Sequence, residues 1–234
     1  MTEFAVELHE LFLAVLPTPV EPFSIAIATG SPTHVIVRQP SDGIALTVDG
    51  EPLLRLHARF RCTWDSRQQF LAVNESSIGV SAEGSEEPLF RYDYISTSDG
   101  HVPAAHLNVH GHRDELVFAM MAAGKRHRGR ARVATVRKGR IPRLANFHFA
   151  LGGHRFRPAV EDVLEMTVRE FGLDTRAGWE SAICQGRARW REKQLRSAVR
   201  DDPTSAADTL RNLGYAITPP PEVAGPRADR IHSL

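Results

Sequence analysis

The sequence predicts an α+β fold: a curved antiparallel β-sheet flanked by helices, with a helical C-terminal extension. Three features predict it. Between residues 34 and 110, short β-branched or alternating runs are separated every few residues by turn-forming chemistry. On either side of that block, apolar residues recur at helical spacing. No helix-length segment interrupts the strands, so hairpins and antiparallel pairing are expected in place of parallel crossovers.

Thr2 to Leu16 is the first helix. Phe4, Leu8, Leu11, Phe12 and Val15 make its apolar stripe, Glu3 and Glu7 suit its positive end, and Pro17 and Pro19 stop it. Ile25–Ala28 extends briefly. His34–Arg38 and Ile44–Val48 flank the turn Gln39-Pro-Ser-Asp-Gly43, and Asp49-Gly50 is a strong hairpin signal. The run Leu53–Trp64 alternates throughout. Leu54, Leu56, Ala58, Phe60, Cys62 and Trp64 fall on one side, and Arg55, His57, Arg59, Arg61 and Thr63 on the other. Phe70–Asn74, Ile78–Ser81, Pro88–Ile95 and Ala104–His110 complete a meander of about five to seven strands, within the usual sheet size.

Beyond Arg113, Asp114–Ala123 reads as a short helix. Ala131–Val136 is expected as a strand whose other face carries Arg130, Arg132 and Arg137, and Ala145–Leu151 as one more strand ending at Gly152-Gly153. Ala159–Phe171 is a helix opened by Pro158 and closed by Gly172, with Val160, Val163, Leu164, Val168 and Phe171 as its buried face. Thr175–Arg200 reads as one long basic helix weakened at Gly178 and Gly186, followed by a last helix to Leu213 capped by Asp202 or Thr204. From Thr218 the prolines and low apolar content predict an extended or disordered tail. The expected organisation is a core domain over 1–172, a helical extension over 173–216 and a Pro-rich tail over 217–234.

Composition sets the class. With 42% hydrophobic and 24% charged residues in 234, the chain has enough apolar content for a real core. Cys62 and Cys184 stand in unrelated contexts, so neither a disulfide framework nor a zinc knuckle is indicated, and a reducing cytoplasm fits. The first residues carry acids where a signal peptide carries bases, and no apolar run approaches the ~20 residues of a membrane span. A soluble cytoplasmic protein without a membrane partner is expected. The net charge of +1 hides a strong asymmetry. Residues 1–90 hold twelve acids against five bases, whereas 116–160 hold eleven Lys and Arg and no acid at all. Such a one-sign block repels itself unless an anion answers it, so RNA or another polyanion is the expected partner.

Seven of the eleven histidines lie between His101 and His154. In the extended run His106-Leu-Asn108-Val-His110-Gly-His112-Arg113, residues 106, 108, 110 and 112 project to one face as a polar wall. Imidazole transfers protons near neutrality, and arginine stabilises charge on phosphate. The candidate catalytic set is therefore His106, His110, His112, His154, Arg113 and Arg91, with His148 as a further proton donor. No cofactor is called for. Lys125, Arg126, Arg128, Arg130 and Arg132 form an arginine-rich arm for phosphate contacts. Arg155 and Arg157 precede a helix N-terminus, where anions are favoured. The leading expectation is a metal-independent endoribonuclease. Its alternatives are a non-catalytic nucleic-acid-binding or regulatory protein, and a metallohydrolase whose ligands would be His110, His112 and His148. The run His110-Gly-His112-Arg-Asp-Glu115 resembles the HxHxDH motif of metallo-β-lactamases, with Glu115 in place of the last histidine.

The strands, the Tyr92-Asp93 step, the cluster His110-Gly-His112-Arg113 and the acidic-apolar helix Glu161–Phe171 together resemble TumE-type toxins of bacterial toxin–antitoxin modules, over about residues 50–171. The family's compact Gly-Asp-His-Arg-His arrangement is not reproduced, and the basic stretch would be an insertion. The resemblance implies a small α+β toxin acting on RNA and neutralised by a neighbouring antitoxin. An acidic protein partner is thus expected beside the polyanion.

Overall fold

The computed structural model describes residues 2–27, 34–39, 42–64, 71–96, 104–110, 113–124, 127–140 and 157–231. Along the chain come α1 (Thr2–Val15), β1 (Ser24–Ile27), β2 (His34–Arg38), β3 (Ile44–Val48), β4 (Glu51–Trp64), β5 (Leu71–Ala82), β6 (Pro88–Ile95) and β7 (Ala105–Val109). After them come α2 (Arg113–Ala122), α3 (His127–Arg137), α4 (Val160–Phe171), α5 (Trp179–Asp201), α6 (Pro203–Asn212) and α7 (Ala228–Ile231). The fold is α+β. Its strands form one open antiparallel sheet in the order β1-β2-β4-β5-β6-β7.

Strand β4 organises the sheet. At fourteen residues it is long enough to pair β3 along its first half and β2 along its second, while β5 runs beside nearly all of it. Leu54, Leu56, Ala58, Phe60 and Cys62 are buried, and the intervening Arg55, His57, Arg59 and Arg61 are not. The alternation breaks at Trp64, which is 44% exposed. An extra residue in β5, opposite the step from Arg61 to Cys62, shifts the register there and twists the strand end. Asp49 and Gly50 both adopt positive φ, 54° and 86°, as the two-residue β3–β4 hairpin requires.

Helices α1, α2, α4 and α5 cover the inner face. Phe12 stacks on Phe23 at 5.8 Å, and Phe4 meets Phe60 edge-on at 5.2 Å. Leu116 and Met120 of α2, Val163, Leu164 and Phe171 of α4, and Trp179 and Ile183 of α5 join the same core. Helix α5 therefore shares the core of the sheet, while α6 and α7 bury no residue, and before α5 Arg176 Nε donates to the Leu16 carbonyl at 2.7 Å, closing the end of α1.

Helix α4 is enclosed on more than its apolar stripe. Glu161, Asp162, Thr167 and Glu170 are buried as well. The two neighbouring helices supply their counterions: Arg187 of α5 meets Asp162 at 2.8 Å and also Glu165, and Arg132 of α3 meets Glu170. Asp162 Oδ2 also accepts from the Ala159 amide at 2.9 Å, capping the helix, and Gly172 ends it in the left-handed region at φ 66°.

Two expectations change. The strand over Ala131–Val136 is instead part of α3, because Gly129, Arg132, Val133 and Val136 form the inward stripe of a helix against α4. Gly124 and Gly129 make that approach possible: a Cβ on Gly124 would stand 2.6 Å from the Gly172 carbonyl oxygen, and one on Gly129 2.0 Å from that of Gly124. The long helix starts after Gly178, which lies in the left-handed region at φ 81°, and runs unbroken through Gly186. The segment after Thr218 makes polar anchors: the Arg227 amide donates to the Asp201 carbonyl at 2.8 Å, and the Arg230 guanidinium donates to the Ser96 carbonyl. The expected strand Ala145–Leu151 lies outside the described residues.

Candidate functional site

Strands β6 and β7 build a compact polar group on the outer face of the sheet. Phe90 and Tyr92 turn inward to the core, so Arg91 and Asp93 turn outward. The register sets Asp93 opposite His106 and Arg91 opposite Asn108. A single carboxylate oxygen, Asp93 Oδ2, accepts from Arg91 Nε and from Asn108 Nδ2, each at 2.7 Å, and stands 3.7 Å from His106 Nε2. The Asp93 side chain is only 13% exposed, so its charge is shielded from water and committed to these three neighbours. Arg91 remains 42% exposed, and its two terminal nitrogens have no acceptor among the described residues. Chemically, the group offers a guanidinium open to an anion, with an imidazole nearby.

His110 does not join it. Its backbone amide donates to the Leu89 carbonyl at 3.1 Å, and its Nδ1 lies 3.4 Å from Glu87 Oε1. Its Nε2 is enclosed and has no hydrogen-bond partner among the described residues. Four residues of strand separate His106 from His110, roughly 13 Å at strand rise. Each ring has its own carboxylate, so the two do not share one phosphate site. His112, His148, His154, Lys125, Arg126 and Arg155 lie outside the described residues. For Arg113 and Arg128, only the backbone, in α2 and α3, is described.

The remaining basic candidates part ways. Arg130 is exposed on α3, next to exposed Arg137, Lys138 and Arg140. Arg132 is turned inward and held by the Glu170 carboxylate and carbonyl, so it ties α3 to α4 away from solvent. Arg157 lies behind the sheet, between the rings of Tyr94 and Trp190.

A second set was hidden in the outward half of β4. Arg55, His57, Arg59 and Arg61 share a face with Arg38 of β2 and with Arg91, His106 and Asn108 at the far edge. Arg55 is taken by Glu83 through two hydrogen bonds of 2.8 and 3.1 Å, and Arg61 by Glu75 at 3.1 Å. His57 is structural. Its ring sits against Gly43, with Gln39 Nε2 3.4 Å from Nδ1, and burial, with Arg55 nearby, lowers its pKa so that it is neutral. Arg38 and Arg59 stand opposite each other, both exposed, and neither has an acidic partner among the described residues. The signal was present in the sequence as an Arg-x-His-x-Arg-x-Arg alternation, legible as a strand face but overshadowed by the histidine-rich stretch.

Among the described residues no group of three or more His, Cys, Asp or Glu is gathered closely enough to hold a metal ion. No described helix is long and apolar enough to cross a membrane. Comparison with protein-family models, with curated proteins and with solved structures finds no match.

Proposed function

We propose that this protein binds nucleic acid, RNA foremost, across the outer face of its sheet. The observation that carries the reading is the pair Arg38 and Arg59, two exposed arginines directly opposite each other in the register, without a counterion among the described residues. Like charges directly opposite each other weaken a sheet, so a ligand that bridges them gives the arrangement a reason. Arg91 extends the row to the far edge, toward His106 and Asn108, whose imidazole and amide suit contacts to sugar and base. The resemblance to TumE-type toxins points the same way, and adds a neighbouring antitoxin whose acidic side chains would compete for the same arginines.

Fluorescence anisotropy of a labelled single-stranded RNA, titrated from low to moderate salt, tests this. Affinity should fall steeply with salt, and the Arg38→Ala, Arg59→Ala double variant should flatten the logarithmic slope by roughly 0.7 for each phosphate contact removed. Salt-independent binding, or an unchanged slope in the double variant, rejects the outer face as the binding surface.

The spacing of His106 from Asp93 favours a second reading on the same face, metal-independent cleavage of RNA. His106 would take the proton of the attacking 2′-hydroxyl, water would protonate the leaving 5′-oxygen as its bond to phosphorus breaks, and Arg91 would hold the phosphate. RNA incubated with the protein in EDTA should then be cut, and His106→Ala should slow the cutting by about a hundredfold or more, the usual weight of a general acid or base. An intact RNA that is nonetheless bound leaves the binding function alone.

A further inference from the structure

Behind the sheet a cavity of about 1040 Å³ opens between α1, the inner face of β4, β5 and β6, the middle of α5 and the C-terminal segment. Ligand pockets commonly span roughly 300–1,000 Å³, so this one has room for an organic molecule with its water. Its lining is unusual for an interior. Trp64, Tyr94 and Trp190 contribute aromatic surface, and Arg157, Arg189 and Arg230 contribute positive charge.

Arg157 is the centre of it. Its guanidinium carbon lies 3.7 Å from the centroid of Tyr94 and 4.8 Å from that of Trp190. Burial pulls its pKa down to about 10, against the opposing pull of Tyr94 and with the help of Arg230, so the group is still cationic at neutral pH. No carboxylate or carbonyl accepts from Arg157 among the described residues. Of the acids that line the cavity, Glu7 holds Lys193 at 2.9 Å, Asp201 lies 3.7 Å from Arg227, Glu161 packs on Gly186, and Glu3 is exposed on α1. A guanidinium in a cavity without an acceptor calls for an acceptor-rich anion, and the aromatic surface of Trp64 in the same cavity suits a flat ring.

We propose that this cavity binds a planar aromatic anion of about mononucleotide size, a flat ring carrying a phosphate or a carboxylate, with Arg157 holding the anionic group. The site is on the opposite side of the sheet from the arginine pair Arg38 and Arg59, and does not depend on that face binding RNA.

Isothermal titration of the full chain with AMP, adenosine, inorganic phosphate and indole-3-acetate provides the test, with tryptophan fluorescence as a second readout. AMP or indole-3-acetate should bind and change the fluorescence, and the stronger of the two identifies the anionic group. Adenosine and inorganic phosphate, each carrying one half of the ligand chemistry, should bind at least about tenfold more weakly. Arg157→Lys keeps the charge but loses the planar stack, and Arg157→Gln keeps a planar polar group but loses the charge. Each should weaken binding about tenfold while circular dichroism and melting temperature show a folded chain. Arg59→Ala should leave this affinity unchanged while weakening RNA binding, which separates failure of one site from failure of the other. Neither aromatic anion binding, or both variants binding as the parent does, overturns the assignment.

Discussion

Arg38 of β2 stands directly opposite Arg59 of β4 in the antiparallel register, both on the solvent side of the sheet. On the inner side, the adjacent pair Val37 and Phe60 is buried, so the strand cannot slip to separate the charges without exposing the core. Relieving the repulsion should therefore stabilise the fold. Arg59→Thr, which keeps strand propensity, is expected to raise the unfolding free energy by about 0.5 kcal/mol in denaturant titration and to weaken RNA binding in the same protein. A variant that loses stability while binding RNA normally would show that Arg59 serves packing.

Glu161 lies in the first turn of α4 with the backbone of α5 pressed against it. A Cβ on Gly186 would stand 2.6 Å from its Oε1. Burial, reinforced by the Asp162 charge, raises its pKa above the ordinary glutamate range, against the opposing pull of Arg187 and Arg189. The native state thus keeps a proton that the unfolded chain has already released, and stability declines as pH rises from the ordinary value through the raised one. Below that window both states are protonated and nothing is lost. Glu161→Gln fixes the neutral form at every pH. Its melting temperature should match the parent at low pH and exceed it by a margin that grows as pH rises above the ordinary glutamate value and then levels off; a margin independent of pH would mean that Glu161 does not titrate in the window.

The same two helices show what could be read in advance and what could not. The alternation in Leu53–Trp64, the turn at Asp49-Gly50 and the stop at Gly172 are local chemistry, and each element they predict is present. Helix α3 is not local. Its run Ala131-Arg-Val-Ala-Thr-Val136 satisfies a strand pattern as well as a helical one, and only the approach of α4, through Gly124 and Gly172, selects the helix. For the same reason Arg132, read as part of a solvent-facing arm, is the internal partner of Glu170. The outer-face cluster was half legible. Alternation placed His106 with Asn108, but only the β6–β7 register brings them to Arg91 and Asp93. The cavity was not legible, since Tyr94, Arg157 and Trp190 come from three distant segments.

Asp174, three residues beyond the end of α4, gives a last case of long-range closure. Its Oδ2 accepts from the Gly50 amide at 2.8 Å and the Thr47 hydroxyl at 3.0 Å, its Oδ1 accepts from the Asp49 amide at 3.2 Å, and its own amide donates to the Thr47 carbonyl at 2.8 Å. The carboxylate thus holds the β3–β4 turn, whose left-handed residues leave two amides pointing outward together. Hydrogen bonds to a charged group contribute more than neutral ones, and this site is shared with solvent, so Asp174→Ala is expected to cost about 2 kcal/mol. Asp174→Asn should recover part of it, because the amide oxygen can still accept from Gly50 but brings no charge. Hydrogen exchange locates the effect: the Gly50 and Asp49 amides should lose protection in Asp174→Ala well before the amides of β4 at Phe60 and Cys62. Equal loss across the sheet would mean that Asp174 supports the whole fold and that the hairpin holds without it.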